Sequence, residues 1–290
     1  MVLFVTIGQQ PFQDSVSTIK PDGSDLQVVL APQRDRSYMY ASGNSLQREL
    51  VVTVHELDPA RQVVDHLYLY NPHGGGWRRL LNKTGMEGAG YMSPDDSRVA
   101  FIFAPDTQPV QLRPWVTNLQ TGETIKLTGE DNEEGTWDGY LSWRRDGQEL
   151  TFLRLRRTPS GGLTSTLMRV PSSGGEPAEL LEPGEWILAA CYAPDGTRLA
   201  MLTKKGLEIL EISNKQRKLI LTWDSLPSPQ FRTGGLIWSR DQNKIAFAIL
   251  NKQAKRYEVW TISADGHDAK KIYDQDESQG QLTVTSFVRR

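Results

Sequence analysis

Short apolar runs separated by tight polar turns recur along the whole chain. Within the runs, apolar and polar residues alternate with the two-residue period of a half-buried strand. The clearest instance is 139–153, GYLSWRRDGQELTFL, in which an apolar strand ends in Trp143, a turn follows at Asp146 and Gly147, and a second strand leaves at 150–153. Asp-Gly is expected to supply the positive-φ positions of a hairpin turn, with the alternation on each side burying one face. Measured from Asp146, a large apolar residue stands three before and an aliphatic residue four after. The same register returns at Met92/Asp95/Val99, Tyr192/Asp195/Leu199 and Trp238/Asp241/Ile245. The four aspartates lie 51, 49 and 46 residues apart, which is the period of a repeat architecture.

A second kind of hairpin follows the first and is found six times. Its turns fall at Pro21-Asp22-Gly23, 71–76, Thr121-Gly122, 172–175, 213–215 and Ala264-Asp265-Gly266. The first kind occurs four times in full register and once, degraded, over 38–54. The sixth copy is divided between the ends of the chain. In 283–290, TVTSFVRR, Phe287 stands three before Arg290, which lies 49 residues after Asp241, where the next turn aspartate is expected. The run 2–7, VLFVTI, then supplies the strand that the C-terminus lacks.

The pattern therefore predicts an all-β fold: a six-bladed β-propeller of four-stranded antiparallel blades, closed by the C-terminal strand pairing with the N-terminal strands. It predicts a single domain over 1–290, with the first blade shared between 1–37 and 281–290. The other blades are expected at 38–90, 91–139, 140–188, 189–235 and 236–280. A pair of β-sandwiches or an open solenoid would leave the complementary ends unexplained. No window sustains a helical stripe over three turns.

Composition changes this picture little. An apolar content of 38%, 23% charged residues and eight tryptophans suit a globular chain with a sizeable core. A net charge of −2 gives no general attraction to nucleic acid or an anionic membrane. No apolar run approaches the ~18 residues that span a bilayer. The opening MVLFVTI lacks a basic flank and a small-residue cleavage pattern, so no export signal is read in it. Cys191 is the one cysteine, and its setting, AACYA, predicts a buried inert thiol.

The turn motif has a familiar form. YMSPDDSRVAFIF (91–103), YAPDGTRLAML (192–202) and IWSRDQNKIAFAI (237–249) resemble the WD40-like Pro-Asp repeat of TolB-like propellers. ADGHDAKKI (264–272) and PDGSDLQVVL (21–30) resemble the second half of that repeat. The resemblance covers essentially the whole chain and implies the fold, together with a place in the bacterial cell envelope or periplasm. Propellers of this type serve many roles, so it says little about activity. TolB itself carries an additional α/β domain before its propeller, for which these 290 residues leave no room. The motif proline is replaced by arginine at 145 and 240, which reads as drift of the repeat.

Candidate chemistry is sparse. The four histidines, His55, His66, His73 and His267, show no zinc-binding spacing, and neither a Gly-x-Ser-x-Gly elbow nor a P-loop is present. No cofactor is expected. Asp274, Asp276 and Ser278 have the alternating oxygen spacing of some calcium loops, although the glycine falls one place late and no carboxylate stands at the twelfth position. A solvated acidic loop is the competing reading. The longer connections, at 8–14, 58–64, 105–112, 154–163 and 251–256, share one rim with the links between blades, and variable loops on a rigid frame commonly form binding surfaces. On that rim Trp137, Trp186, Trp223 and Phe231, with Arg154, Arg156 and Arg157, are the expected partner-binding residues, the alternative for each tryptophan being packing between blades. The reading is a monomeric, non-catalytic scaffold for a protein or peptide, engaged at the long-loop rim or in the axial channel. It binds no nucleic acid and inserts in no membrane. The competing class is a propeller enzyme with a channel metal acting on a lactone or carbohydrate, or a gating domain for a separate peptidase.

Overall fold

The computed structural model describes residues 1–106, 110–128, 135–158, 160–181, 186–226, 229–230 and 235–289, with 229–230 described by backbone alone. Among these residues the chain forms six antiparallel sheets. The first contains β1 (Val2–Ile7), β2 (Ser15–Ile19) and β3 (Gln27–Leu30). The second contains β4 (Arg36–Ser42), β5 (Leu50–Leu57), β6 (Val63–Tyr70) and β7 (Trp77–Arg79). The third is built from β8 (Gly85–Met92), β9 (Arg98–Pro105), β10 (Arg113–Asn118) and β11 (Thr124–Lys126). Next come β12 (Thr136–Trp143), β13 (Glu149–Arg157), β14 (Leu163–Pro171) and β15 (Ala178–Glu179). The fifth sheet has β16 (Ile187–Tyr192), β17 (Arg198–Thr203), β18 (Gly206–Glu211) and β19 (Arg217–Thr222). In the sixth, β20 (Pro229–Gln230) and β21 (Leu236–Trp238) pair with opposite ends of β22 (Lys244–Asn251), followed by β23 (Arg256–Ser263) and β24 (Lys270–Asp276). The last strand, β25 (Gln281–Phe287), returns to the first sheet and pairs with β1. The sheets stand in a ring as the blades of a six-bladed propeller, as the repeat predicts.

Local chemistry explains the inner hairpins. In the turn after β8, the Asp96 amide donates to the Ser93 carbonyl and the Ser93 amide to Arg98. The same pair of bonds recurs in the turns beginning at Arg144, Ala193 and Ser239. The motif aspartate does not take the positive φ that Asp-Gly suggested. Its carboxylate instead accepts the backbone N–H two residues on, at 3.2 Å for Asp95, 3.0 Å for Asp146, 2.8 Å for Asp195 and 3.2 Å for Asp241. The residue after it carries the left-handed conformation: Asp96, Gly147, Gly196 and Gln242 have φ of 61°, 67°, 73° and 65°. This is a type I turn closed by a left-handed residue, so glycine is favoured there but not required.

Three of the outermost strands are short, with three residues in β7 and β11 and two in the exposed Ala178–Glu179. A short outer strand presents little unpaired backbone to another chain. The core lies between blades rather than within them. Val51, Leu67 and Leu69 of the second blade pack with Val99, Phe101 and Phe103 of the third, and each of the other five junctions has an equivalent cluster. Arginines three residues beyond the motif aspartate reinforce two junctions. Arg98 donates to the Gly147 carbonyl at 2.7 Å and lies over the Trp143 ring, while Arg198 reaches Gln242 at 3.1 Å and lies over Trp238.

Ring closure is made by backbone pairing along all of β1, from Val2 opposite Phe287 to Ile7 opposite Gln281. The N-terminal ammonium donates to the Val288 carbonyl at 3.0 Å, and the Val288 amide donates back to Met1 at 3.0 Å. Gly280 admits the last strand. Its φ is 110°, and a Cβ there would stand 2.1 Å from the Ile7 carbonyl oxygen. Gly280→Ala is therefore expected to destabilise the protein by at least about 2 kcal/mol, and truncation after 280 to abolish the single cooperative transition, both read by denaturant unfolding. A cooperative, soluble truncated chain would refute closure by this strand.

Asp95 adds a pH term. Burial pushes its carboxyl up, but bonds from the Ser93 and Ser97 hydroxyls and the Ser97 amide outweigh this and hold it at about 2, below the ordinary 3.8. A carboxyl depressed in the folded state stabilises fully above its unfolded value, and that contribution disappears as pH falls through the folded one. The stability difference between wild type and Asp95→Asn is expected to be widest at neutral pH and to close between about pH 5 and pH 2, followed by urea unfolding across that range.

Candidate functional site

The innermost strands of all six blades surround an axial cavity of about 740 Å³. In five blades the inner strand carries an extra residue relative to its neighbour, as at Tyr140 and Leu141, which together oppose Phe152. Such bulges re-aim side chains, and at two of them consecutive residues, Gly88 with Ala89 and Tyr140 with Leu141, line the cavity. Tyr140 holds a φ of 56° and is 40% exposed, an uncommon backbone state for an aromatic residue. The Tyr40 and Tyr91 rings meet nearby with centroids 5.1 Å apart, and burial pushes the Tyr91 hydroxyl up to about 12.

The two ends of the cavity differ in charge. At the long-loop end stand Asp65, Glu87 and Asp138, each already engaged. The Asp138 carboxylate has no exposure and accepts from Arg154 Nε at 2.9 Å and Nη2 at 3.1 Å, with Arg113 Nε at 3.9 Å. Arg113 is itself buried and donates to Leu112 and Thr136. Glu87 accepts the Leu67 amide at 2.7 Å and Arg79 at 2.8 Å, and burial pushes its carboxyl up. Asp65 pairs with His55 Nδ1 at 2.7 Å. Among the described residues, no three His, Cys, Asp or Glu side chains gather where they could hold a metal ion. Cys191 lines the cavity, but burial pushes its thiol up to about 12, away from thiolate chemistry.

At the opposite end the inner strands leave the channel, and the residue two places beyond each of them lines the opening: Asn44, Pro94, Arg145, Pro194, Arg240 and Arg289, the last in a bridge to Ser45 rather than in a turn. The substitutions that read as drift in the sequence therefore put arginines around the mouth of the cavity. Three corners separated by dozens of residues become neighbours only once the ring closes, and the one sequence signal was the loss of the motif proline.

The expected rim residues fall into separate groups. Arg157 is exposed and lies over the Trp137 ring at 5.9 Å, with exposed Arg156 beside it on β13. Arg154 instead serves Asp138 within the wall. Trp223, in a one-turn 3-10 helix, is 6% exposed, donates from its indole to the Thr203 carbonyl at 2.8 Å and packs edge-on against Phe247, which is packing between blades. Trp186 is half-buried just before β16, and Phe231 lies outside the described residues. The acidic run of the calcium candidate is partly strand. Asp274 belongs to β24, where Arg256 holds it at 3.0 and 3.2 Å and Lys271 at 2.8 Å. Asp276 caps a one-turn helix, accepting the Ser278 amide at 2.9 Å. Each of the two carboxylates is thus bonded within the chain.

Comparison with known proteins supports this geometry at the level of fold. No family model matches the chain, and no curated protein matches it in sequence. Among solved structures it is similar to TolB from Acinetobacter baumannii, at 16% identity and a TM-score of 0.70, covering 97% of this chain and 65% of that one. It is likewise similar to a putative TolB from Agrobacterium tumefaciens, at 13% identity and a TM-score of 0.71, covering 99% of this chain and 93% of that one. The fold is TolB-like. The chain thus spans just under two thirds of the length of the first relative and nearly all of the second. The TolB-like propeller is also similar, at a TM-score of 0.56 and 14% identity, to an oligogalacturonate lyase in complex with manganese, covering 95% of this chain and 73% of the lyase. At these identities the likeness concerns architecture alone.

The buried carboxylate at the long-loop end gives a direct test of how the wall is held. Asp138→Ala removes the buried carboxylate that Arg154 and Arg113 face and is expected to cost about 3–5 kcal/mol in urea unfolding, whereas Asp95→Ala, in an exposed turn, costs about 1 kcal/mol.

Proposed function

We propose that this TolB-like propeller is a non-catalytic binding scaffold that receives a protein or peptide segment in its axial channel, with the long-loop rim extending the contact. The observation that carries the reading is the channel itself: about 740 Å³, walled by bulged inner strands that present tyrosines, aliphatic side chains and small hydroxyl residues. Aromatic walls with a few polar groups suit an extended segment carrying apolar side chains. The groups a reaction would need are otherwise committed. Asp138 and Glu87 are tied to arginines and Asp65 to the His55 ring, and the Cys191 thiol is pushed up by burial. On the rim, Arg157 stacked on Trp137, with Arg156 adjacent, supplies the exposed cation and aromatic surface typical of interface anchors. Likeness to TolB supports a protein partner and a cell-envelope setting by analogy alone.

Gly139 permits a clean test. It lines the cavity, and a Cβ built on it meets nothing within 4 Å, so a large side chain there fills the channel without disturbing the wall. Peptides selected from a random display library against the wild-type protein are expected to lose binding at least ten-fold on Gly139→Trp while the melting temperature holds. Trp137→Ala with Arg157→Ala is expected to weaken them by a smaller factor. Selected peptides that bind Gly139→Trp as tightly as wild type would sink the channel reading.

A further inference from the structure

The turn-side mouth of the channel carries positive charge that the fold does not require. In the repeat, the first corner of the type I turn is proline in two blades, Pro94 and Pro194, where its fixed φ suits that position. Arg145 and Arg240 replace it in two further blades, and Arg289 stands at the equivalent place in the closing blade, two residues after Phe287. All three line the cavity.

These guanidinium groups are not held as many arginines of the blades are. Arg79, Arg113, Arg154, Arg198, Arg217 and Arg256 each face a carboxylate within 4 Å. Among the described residues, no carboxylate comes that close to Arg145, Arg240 or Arg289. The nearby acid, Asp96, is already occupied by Arg48 at 2.9 Å and by the Asn44 side-chain amide at 2.6 Å. Burial, followed by the repulsion of Arg289, lowers the pKa of Arg240, Arg145 and Arg48 adding to the effect against a partial offset from Asp96. Clustering like charges costs stability, and giving up proline at a turn corner costs more. A local rule broken without structural compensation points to a ligand.

We propose that this arginine crown binds the carboxylates of an acidic segment of the partner peptide, so that the segment lies in the channel with its acidic residues at the turn-side mouth and its apolar residues against the tyrosine wall. The inference rests on the channel reading above and adds the chemistry and direction of the ligand. The long-loop end cannot substitute as a cation site, because its arginines are committed to Asp138 and Glu87. The crown offers guanidinium groups that no carboxylate among the described residues approaches within 4 Å, and arginine forks match carboxylate geometry.

The test uses peptides of alternating Glu-Leu, Gln-Leu and Lys-Leu, four repeats each, labelled with an uncharged coumarin and titrated by fluorescence anisotropy at low and high salt. The expected order is Glu-Leu tighter than Gln-Leu, with Lys-Leu weakest, and the advantage of Glu-Leu falling with salt. In Arg145→Pro/Arg240→Pro/Arg289→Gln, Glu-Leu is expected to bind on the order of ten-fold more weakly while Gln-Leu is unchanged. Because proline is the repeat's own corner residue, this variant is expected to melt no lower than wild type, which separates lost charge from lost fold. Gly139→Trp should remove both Glu-Leu and Gln-Leu. Equal Glu-Leu affinity in the crown variant and wild type would overturn the crown while leaving the channel reading intact, provided Gly139→Trp still blocks binding. Binding of Glu-Leu that loses to the crown variant but ignores Gly139→Trp would place the acidic ligand on the outer surface and overturn its direction in the channel. Displacement of Glu-Leu by inorganic phosphate at the same concentration as by free glutarate would mean that the crown takes any small anion, and would overturn peptide specificity.

Discussion

Everything in this molecule depends on the pairing of β25 with β1. A propeller blade has no core of its own; each of the six hydrophobic clusters is shared by two neighbouring sheets. If the first blade loses its inner strand, the clusters on both sides of it open, one containing Val2 and Phe4 and the other Leu3 and Val5. Alternate residues of one strand thus serve two junctions, which is why a single backbone ladder controls the whole ring. The closure extends into the second blade, where Leu46 and Ser45 bond to the Arg289 carbonyl, so that the last residues are tied both to β1 and to the connection after β4.

Closure also makes the channel. Inner strands held on both sides by packed neighbours cannot flatten, and the extra residue that five of them carry is taken up as a bulge facing the axis. Cross-links tie these bulged strands to each other: Ser42 bonds to Gly90 and Met92, Ser142 to Tyr192, and the Trp143 indole to the Tyr91 carbonyl. Side chains on such a wall are held in place before any ligand arrives, which lowers the ordering cost of binding.

The fold was legible in the sequence because its signals are local. An aspartate that accepts an amide two residues on, with an apolar residue three before and an aliphatic residue four after, encodes one hairpin, and the spacing of its copies encodes the ring. Even the shared blade was readable, since Phe287 keeps the register of Trp143. Sites were harder, because they are assembled across blades. Trp223, in a connection between blades, is indistinguishable by sequence from a surface aromatic, yet its indole finds Thr203 and its ring finds Phe247. By sequence Arg154 is one of three rim cations, whereas in the fold Asp138, on the adjacent strand, holds it. Arg145 and Arg240 looked like noise in a motif, since nothing in a linear chain shows that turn corners meet around an axis.

That last case has a physical basis. In this repeat most positions are constrained: the apolar residues by packing between blades, the aspartate by its amide bond, the following residue by its left-handed backbone. The turn corner is different. In the four turns that carry the motif its N–H is not needed by the hairpin and its backbone suits almost any residue, and at all six positions it lines the channel mouth. A change there alters the charge of the opening while leaving the ring's packing untouched. Such positions are where a scaffold of this kind can acquire a preference for one partner over another, and here three of the six carry arginine, with no carboxylate among the described residues within 4 Å to answer them. The long-loop end contains the reverse arrangement, carboxylates answered by buried arginines, which serves the wall. The channel is therefore polar along its axis in the sense that matters for a ligand: one end is electrically finished and the other is not.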